Sequence, residues 1–459
     1  MIPSIEEMAL NPFLTRRSDG TLCFDGMDLC CLAKEFGTPV WVSSIPVVRH
    51  NLARLRRASQ NVFPNCRHTY SLKANTTSGI VKTLLELGCD LDVSSETELA
   101  LAQHLGVPGD RIILNGSCKS AGLLKAAFAA GVSQLNIDRF DDLRLIGSLA
   151  RKFDIVVRCL LRVRAGATAD LNPDRLHGLI FDRDDGKFGF DADNLDQIVN
   201  DVSNVSGLLL CGIHVHLGFV AYSGRVGPGD EIELRRHVVR DAIRHLIMYR
   251  QCFPIAQPIL NLGGGTRSAP FVVVKPENGD QQAARLLNVA PIERHVDLVH
   301  EELLRSGLTP ADIEIQFENG GYLVDTSTLM LTEVLGESRR SDGRRIVMLN
   351  ASTRTFVTQA KLTYPAIPVI DHGHHEHVTI IGHSCAPDNL VTGWPLPALA
   401  PGSLVALLNQ GAYCETESTQ FNGINRPGVV VADAGRVRLI KRPERWEDHY
   451  VRDEGYRVK

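Results

Sequence analysis

From Cys66 onward the chain repeats one pattern eight times, a short β-rich run followed by a stretch with apolar residues three to four apart. The runs are His68 to Lys73, Cys89 to Ser94, Arg111 to Gly116, Gln134 to Asp138, Ile155 to Val163, Leu208 to His216, Pro258 to Gly263 and Ile313 to Glu318. The helical stretches carry their own stop signals: Ser78 to Leu87 ends at Gly88, Glu96 to Leu105 at Gly106, and Ala121 to Ala130 at Gly131. Strands alternating with helices make parallel sheets covered on both faces, and eight such units close on themselves. The pattern therefore predicts an α/β fold built on a (β/α)8 TIM-like barrel. The polar segments Ala221 to Glu231 and Pro276 to Gln282 interrupt the rhythm and read as loops.

After Glu318 the rhythm changes. Arg345 to Leu349, Val378 to Ile381, Ser403 to Leu408 and Gly428 to Ile440 read as strands joined by turns, which predicts a C-terminal β domain of barrel or sandwich type. Thr21 to Phe24 adds a strand to that domain, and Leu29 to Phe36 a helix leading back to the barrel. The division is 37–323 for the barrel, with 1–36 and 324–459 forming the β domain, and a chain of 459 residues with 44% hydrophobic content can fill two cores.

A net charge of -4 provides no basic field for nucleic acid, and no apolar run approaches the ~18 residues of a membrane span. Met1 to Gly20 opens with acidic and polar residues rather than a leader. Eleven cysteines are scattered through the chain, mostly inside apolar runs such as those holding Cys89, Cys159 and Cys211, so a reduced, cytoplasmic protein is expected. Cys30-Cys31 lacks metal-ligand spacing and suits a buried or half-buried helix position. The imidazoles of His372 to His377 could share a metal, but their place between Pro368 and the strand-like Val378 to Ile381 favours a polar hairpin tip, and no metal is expected.

Chemistry in such barrels gathers at the C-terminal ends of the strands. Lys73, Asp92, Asn115, His216, Gly263-Gly264-Gly265 and Glu318 all fall at such ends, each on a different predicted strand. Any one alone reads as an ordinary surface residue; as a set they converge on one rim. An amine able to form a Schiff base, a glycine turn sized for phosphate, and a carboxylate for a pyridine nitrogen are the groups that pyridoxal phosphate requires.

The same residues carry a resemblance. The chain is similar nearly end to end to the pyridoxal-phosphate-dependent decarboxylases with an alanine-racemase-like barrel, which include diaminopimelate, ornithine and arginine decarboxylases. The shared segments are Glu35 to Val42, Tyr70-Ser71-Leu72-Lys73-Ala74-Asn75, Asp92-Val93-Ser94-Ser95 with Glu98, Lys187-Phe188-Gly189, His214 to Gly218, Gly263 to Gly265, Glu318 to Val324, Gly382-His383-Ser384-Cys385, and Gly411-Ala412-Tyr413 with Phe421-Asn422-Gly423. The resemblance implies decarboxylation of a small-molecule amino acid by a homodimer. Lys73 would carry the cofactor, Asp92 would belong to the cofactor site, His216 would stack on the ring, Glu318 would keep the ring nitrogen protonated, and Gly263 to Gly265 with Tyr413 would hold the phosphate. Cys385, from the second subunit, would protonate the α-carbon after carbon dioxide leaves.

The chain also departs from the family pattern. Gly321 stands where an arginine is expected near the phosphate and Phe219 where a serine is expected, leaving Ser223 or Arg267 to replace them. Ala386 follows the cysteine where a carboxylate often reads a distal amine, with Asp388 two residues on as the candidate substrate contact. Asn350 to Tyr364 lacks the Arg-Pro pair associated with a distal carboxylate. These differences point away from meso-diaminopimelate and L-ornithine, toward a D-amino acid or an intermediate of siderophore or antibiotic synthesis. An amino-acid racemase is the alternative, disfavoured because Glu318 would stabilise the carbanion that a racemase suppresses. A non-catalytic regulatory relative comes third, since it could have lost Lys73 or Cys385 freely.

Overall fold

The computed structural model describes residues 12–164, 187–216, 228–274, 284–354 and 362–454. The chain enters through a small antiparallel sheet of β1 (Leu14–Arg16), β2 (Leu22–Phe24) and β3 (Met27–Asp28). Asp28 then caps the helix Leu29–Phe36, its Oδ1 accepting the amides of Cys30 at 2.8 Å and Cys31 at 3.1 Å. Cys30 is half-buried, but Cys31 is exposed. After β4 (Val40–Ser44), the Ser44 hydroxyl caps the helix Ile45–Gln60 by accepting from the Val47 amide.

The barrel follows as β5 (Cys66–Ser71), β6 (Asp90–Val93), β7 (Ile112–Leu114), β8 (Gln134–Ile137), β9 (Val157–Arg162), β10 (Leu208–His214) and β11 (Ile259–Asn261). An antiparallel pair, β12 (Phe271–Val274) and β13 (Arg285–Asn288), precedes the last barrel strand, β14 (Glu314–Glu318). Every neighbouring barrel pair is parallel, and β14 closes the ring on β5 with Ile315 opposite Cys66. All eight predicted strands are present. The helices Ser78–Glu86, Glu96–His104 and Ala121–Ala129 lie where apolar spacing placed them. The helix Pro228–Met248 takes up the last four residues of the segment read as a loop to Glu231, and residues 221–227 and 276–282 lie outside the described residues.

The β domain contains β15 (Thr328–Arg339), β16 (Arg345–Leu349), β17 (Leu362–Thr363), β18 (Ala366–Pro368), β19 (Glu376–Ile381), β20 (Asn389–Leu396), β21 (Leu404–Leu407), β22 (Gly428–Asp433) and β23 (Arg436–Lys441). Its main sheet runs β20-β19-β16-β15-β4-β22-β23, with β21 pairing β15 and β18. This corrects two expectations. The boundary at residue 37 placed β4 in the barrel, whereas β4 pairs with β15 and β22 in the centre of the β-domain sheet. The run Gly428 to Ile440 is two strands, because Ala434 and Gly435 both take positive φ and fold it into a hairpin. The 12-residue β15 was missed, since its first half is almost wholly buried and it lacks clean polar alternation.

The N-terminal segment belongs to the β domain. Leu22, Phe24 and Leu29 pack with Val40, Val42, Leu329, Leu331, Ile367 and Val430 in a core separate from the barrel's. The Leu22 amide donates to the Val369 carbonyl. All eleven cysteines are free thiols. No helix among the described residues is long and apolar enough to cross a membrane. His375 of the histidine cluster pairs with Asp371 at 2.9 Å, just ahead of β19, and no group of three or more metal-capable side chains gathers among the described residues.

Candidate active site

The C-terminal ends of β5, β6, β7, β8, β11 and β14 place a connected polar network at one rim of the barrel. Just past β5, in the short turn Leu72–Ala74, Lys73 Nζ lies 2.7 Å from Asp92 Oδ2 and 3.4 Å from the Ser71 hydroxyl. Asp92 is 1% exposed and fully engaged: Oδ2 also accepts from Ser71 Oγ, and Oδ1 accepts from Asn115 Nδ2, each at 2.5 Å. Burial opposes the Lys73 charge, but the nearby Asp92, Tyr413 and Glu318 outweigh it and hold the amine above its ordinary value. The lysine is nonetheless 43% exposed, so it stands at the surface of the cleft with its counter-ion beneath it.

Glu318, at the end of β14, is 4% exposed and held by neutral donors from neighbouring strands. Its Oε1 accepts from Asn261 Nδ2 at 2.7 Å and Asn136 Nδ2 at 3.1 Å. His214 Nε2 stands 3.4 Å from Oε2, a charge-pair distance without hydrogen-bond alignment. Burial would raise this carboxyl, yet His214 and Lys73 overcome it and push it well below the usual carboxylate range. Glu318 is therefore a buried, charged carboxylate. Burial likewise drives His216 well below the ordinary imidazole value, helped by Arg162, His214 and Lys73, which makes it neutral.

The glycine turn after β11 is shaped by what surrounds it. Gly263 takes φ +59°, and a Cβ there would sit 2.8 Å from His216 Cδ2; one at Gly264 would sit 2.6 Å from the Glu318 carbonyl. Gly265 takes φ +88°. Only glycines leave this corner open for backbone amides to approach an anion. Beside it Asn319, 2% exposed, accepts from Thr266 Oγ1 at 2.9 Å while its Nδ2 is buried with no hydrogen-bond partner among the described residues. Glycine cradle, orphaned amide, raised amine and buried carboxylate together fit pyridoxal phosphate.

The β-domain residues divide. Tyr413 reaches the rim of its own chain: its amide donates to the Ala74 carbonyl at 2.8 Å, and Asn75 Nδ2 donates to Gly411 O at 2.9 Å. Tyr413 is therefore positioned at the rim by contacts within its own chain. Cys385 sits apart in the turn between β19 and β20, exposed, with its amide donating to Asn422 Oδ1 at 2.8 Å and Asn422 Nδ2 donating to its Sγ at 3.4 Å. Asp388, read as a substrate contact, is a brace of that turn. One oxygen accepts from the amide and hydroxyl of Thr353 at 2.6 and 2.8 Å, and the other from the Ser384 amide at 2.9 Å. Phe219 and Ser223 lie outside the described residues.

Four rim residues were given no role from sequence. Asn136 and Asn261 contact Glu318, His214 stands beside it, and Arg162 lies 3.6 Å from Asp138 with its guanidinium 4.2 Å from the Phe188 ring centre. The available signal was a polar residue interrupting the last two or three positions of an apolar strand.

The sequence profile described as "Pyridoxal-dependent decarboxylase, pyridoxal binding domain" matches residues 49–324, well over half the chain. Diaminopimelate decarboxylase of Bacillus subtilis is 27% identical over 453 residues, covering 96% of this chain and 97% of the relative. The enzyme of the same name from Mycobacterium tuberculosis is 28% identical over 449 residues, with 95% of each chain covered. Among solved structures, diaminopimelate decarboxylase from M. jannaschii superposes with a TM-score of 0.82 at 23% identity over 96% of this chain and 98% of that one. AQ1208 from Aquifex aeolicus gives 0.76 at 25%, over 96% of this chain and 97% of its own. The extent of the profile match, on the strands and turns that build this rim, makes the chain a member of the pyridoxal-dependent decarboxylase family.

Proposed function

We propose that the chain decarboxylates an amino acid other than meso-diaminopimelate or L-ornithine, using Lys73 to carry the cofactor and Cys385 of a second copy to return a proton to the α-carbon. Bound pyridoxal phosphate supplies the electron sink for the pair released as carbon dioxide departs. The chain's own residues prepare the rest. Asp92 aligns Lys73 and holds its proton until a carbonyl arrives. Glu318, charged and fixed by Asn261 and Asn136, keeps a proton on the ring nitrogen. Neutral His216, packed over Gly263, offers a flat face without a competing charge. Tyr413 adds a hydroxyl to the amides of Gly263 to Gly265 at the phosphate. The eleven free thiols suit the cytoplasm.

The observation that carries the reaction class is the buried carboxylate of Glu318 at the barrel rim, which would meet the ring nitrogen of the cofactor, because a racemase gains from a group that leaves that nitrogen unprotonated. The substrate reading rests on the Cys385 turn. Ala386 has no charge to offer a distal amine, and both oxygens of Asp388 are already engaged. A site lacking a buried polar contact forfeits discrimination of about 10⁴- to 10⁵-fold. The second reading, meso-diaminopimelate itself, is favoured by the names of the full-length relatives.

Carbon dioxide release measured across L- and D-amino acids, with meso-diaminopimelate and L-ornithine included, separates the two. The proposal expects both compounds to be poor substrates and another amino acid to exceed them. A kcat/KM of roughly 10⁴ M⁻¹s⁻¹ or more for either compound overturns it.

A further inference from the structure

The glycine turn after β11 is soft backbone held at a few points. Three consecutive glycines have wide conformational freedom, so the amides they present to an anion are aimed only as well as the turn is anchored. At its start the Gly263 carbonyl accepts from the Glu318 amide at 2.8 Å. Beyond its end Thr266 Oγ1 donates to Asn319 Oδ1 at 2.9 Å, and Arg267 pairs with buried Asp325 at 3.8 Å. Between these the Gly265 carbonyl accepts from Nη2 of Arg235 at 2.5 Å. Arg235 lies about two turns inside the helix Pro228–Met248, with its side chain fully buried. Its Nε donates to Glu231 Oε1, one turn earlier, at 2.9 Å. His295, 4% exposed, stands 3.8 Å from the same carboxylate oxygen. Burial and Arg235 push that imidazole down to about 4, which leaves it neutral.

We infer that Arg235 is a positioning residue for the phosphate turn, acting on the anion through the Gly265 carbonyl and not by contact. In a trans peptide the carbonyl and the N–H of the next residue point opposite ways. Drawing Gly265 O toward the helix therefore turns the Thr266 amide away from it, just as the Glu318 contact turns the Gly264 amide away from β14. Neither amide has an acceptor among the described residues, so both remain available to an anion. Gly265, at φ +88°, has no side chain to hold its own orientation, and the arginine supplies that hold from a rigid helix. Glu231 balances the guanidinium, so Arg235 works by geometry rather than by a field at the anion.

The inference rests on the cofactor site proposed above, and the test keeps the two apart. Apoprotein is titrated with pyridoxal phosphate and with pyridoxal by intrinsic fluorescence, and folding is checked by circular dichroism. The phosphorus-31 resonance of bound pyridoxal phosphate is recorded alongside. Arg235→Met/Glu231→Gln removes the fork without stranding a buried carboxylate. It should bind pyridoxal phosphate about 10-fold or more weakly, hold pyridoxal within about twofold, and shift or broaden the phosphorus resonance. Arg235→Lys keeps a charge beside Glu231 but lacks the two-armed guanidinium, and should show the same selective loss. Glu302→Gln loosens the same helix by releasing Arg236, paired to it at 2.7 Å, and should leave the two affinities in the parental ratio. Parent-like binding of pyridoxal phosphate in the folded Arg235 variants, an equal loss for pyridoxal, or the same selective loss in Glu302→Gln overturns the inference. A parent that fails to bind pyridoxal phosphate, or that binds pyridoxal as tightly, overturns the cofactor site instead.

Discussion

Lys73 Nζ and Asp92 Oδ2, 2.7 Å apart, tie the ends of two adjacent barrel strands together through the charge that later has to be given up for chemistry. The amine lies above its ordinary value only because Asp92, Tyr413 and Glu318 outweigh burial. A raised amine favours the folded state below its unfolded value of about 10.4 and loses that contribution as pH rises through the folded value. Asp92→Asn leaves burial in charge and lowers the amine. Apoprotein carrying Asp92→Asn should capture pyridoxal with a pH-rate profile displaced downward by about one unit or more. Borohydride reduction should place the label on Lys73 in the parent. A superimposable pH profile, or label on another lysine, counts against the role of the pair.

Glu318→Gln keeps the Asn261 and Asn136 contacts in part and removes the negative charge. The ring nitrogen then has no partner that holds its proton, so the loss falls on the transition state. We expect kcat to drop by about 10²- to 10³-fold with KM changed little. Equal loss in kcat and gain in KM, or a rise in racemised substrate recovered in deuterium oxide from the parent enzyme, argues against the assignment.

The barrel was legible because its helices carry glycine stops and its strands are short, apolar and bounded. The β domain was less so. In β15 the burial that makes the strand central also erases its alternation, and β4 was assigned by sequence proximity to the barrel although it hydrogen-bonds to β15 and β22. The site was legible wherever a charged residue or a glycine run ended a strand, as at Lys73, Asp92, Gly263 and Glu318. It was illegible where neutral amides do the work. Asn136 and Asn261 look like interruptions in apolar runs, and only barrel closure brings them to one carboxylate. Asp388 is the opposite case: its charge stands out in sequence, whereas its bracing of Thr353 and Ser384 appears only in the folded turn.

Away from the rim, Glu302 of the helix Ile292–Arg305 clamps Arg236 at 2.7 Å and Arg240 at 2.9 Å, both on the helix Pro228–Met248. Burial would raise this carboxyl, but these two arginines together with Arg305 bring it down to about 2. A depressed carboxyl contributes stability above its unfolded value, near 4.3, and loses it as pH falls toward 2. Glu302→Gln should lower the urea midpoint at pH 7, and the gap from the parent should narrow steadily below pH 4. A gap independent of pH would assign the loss to packing.

Cys385 is exposed in the turn between β19 and β20, and its contacts with Asn422 hold the thiol without burying it. Tyr413, by contrast, is already tied to Ala74 within its own chain. A homodimer would therefore exchange the Cys385 turn and not the tyrosine. Mixing inactive Lys73→Ala with inactive Cys385→Ala should restore up to about a quarter of parental activity, because a hybrid dimer contains one site with both residues intact. Mixing Lys73→Ala with Tyr413→Phe should restore none beyond the residual rate of the tyrosine variant, since a site intact in lysine draws its tyrosine from the same defective chain. Cys385→Ala alone should slow amine formation by about 10²- to 10⁴-fold and divert part of its turnovers to pyridoxamine phosphate, as the proton reaches the cofactor's carbon instead of the substrate's. Absence of recovery in the first mixture despite proven subunit exchange, or an unchanged product ratio in Cys385→Ala, removes the cysteine from the reaction and leaves it a polar turn residue.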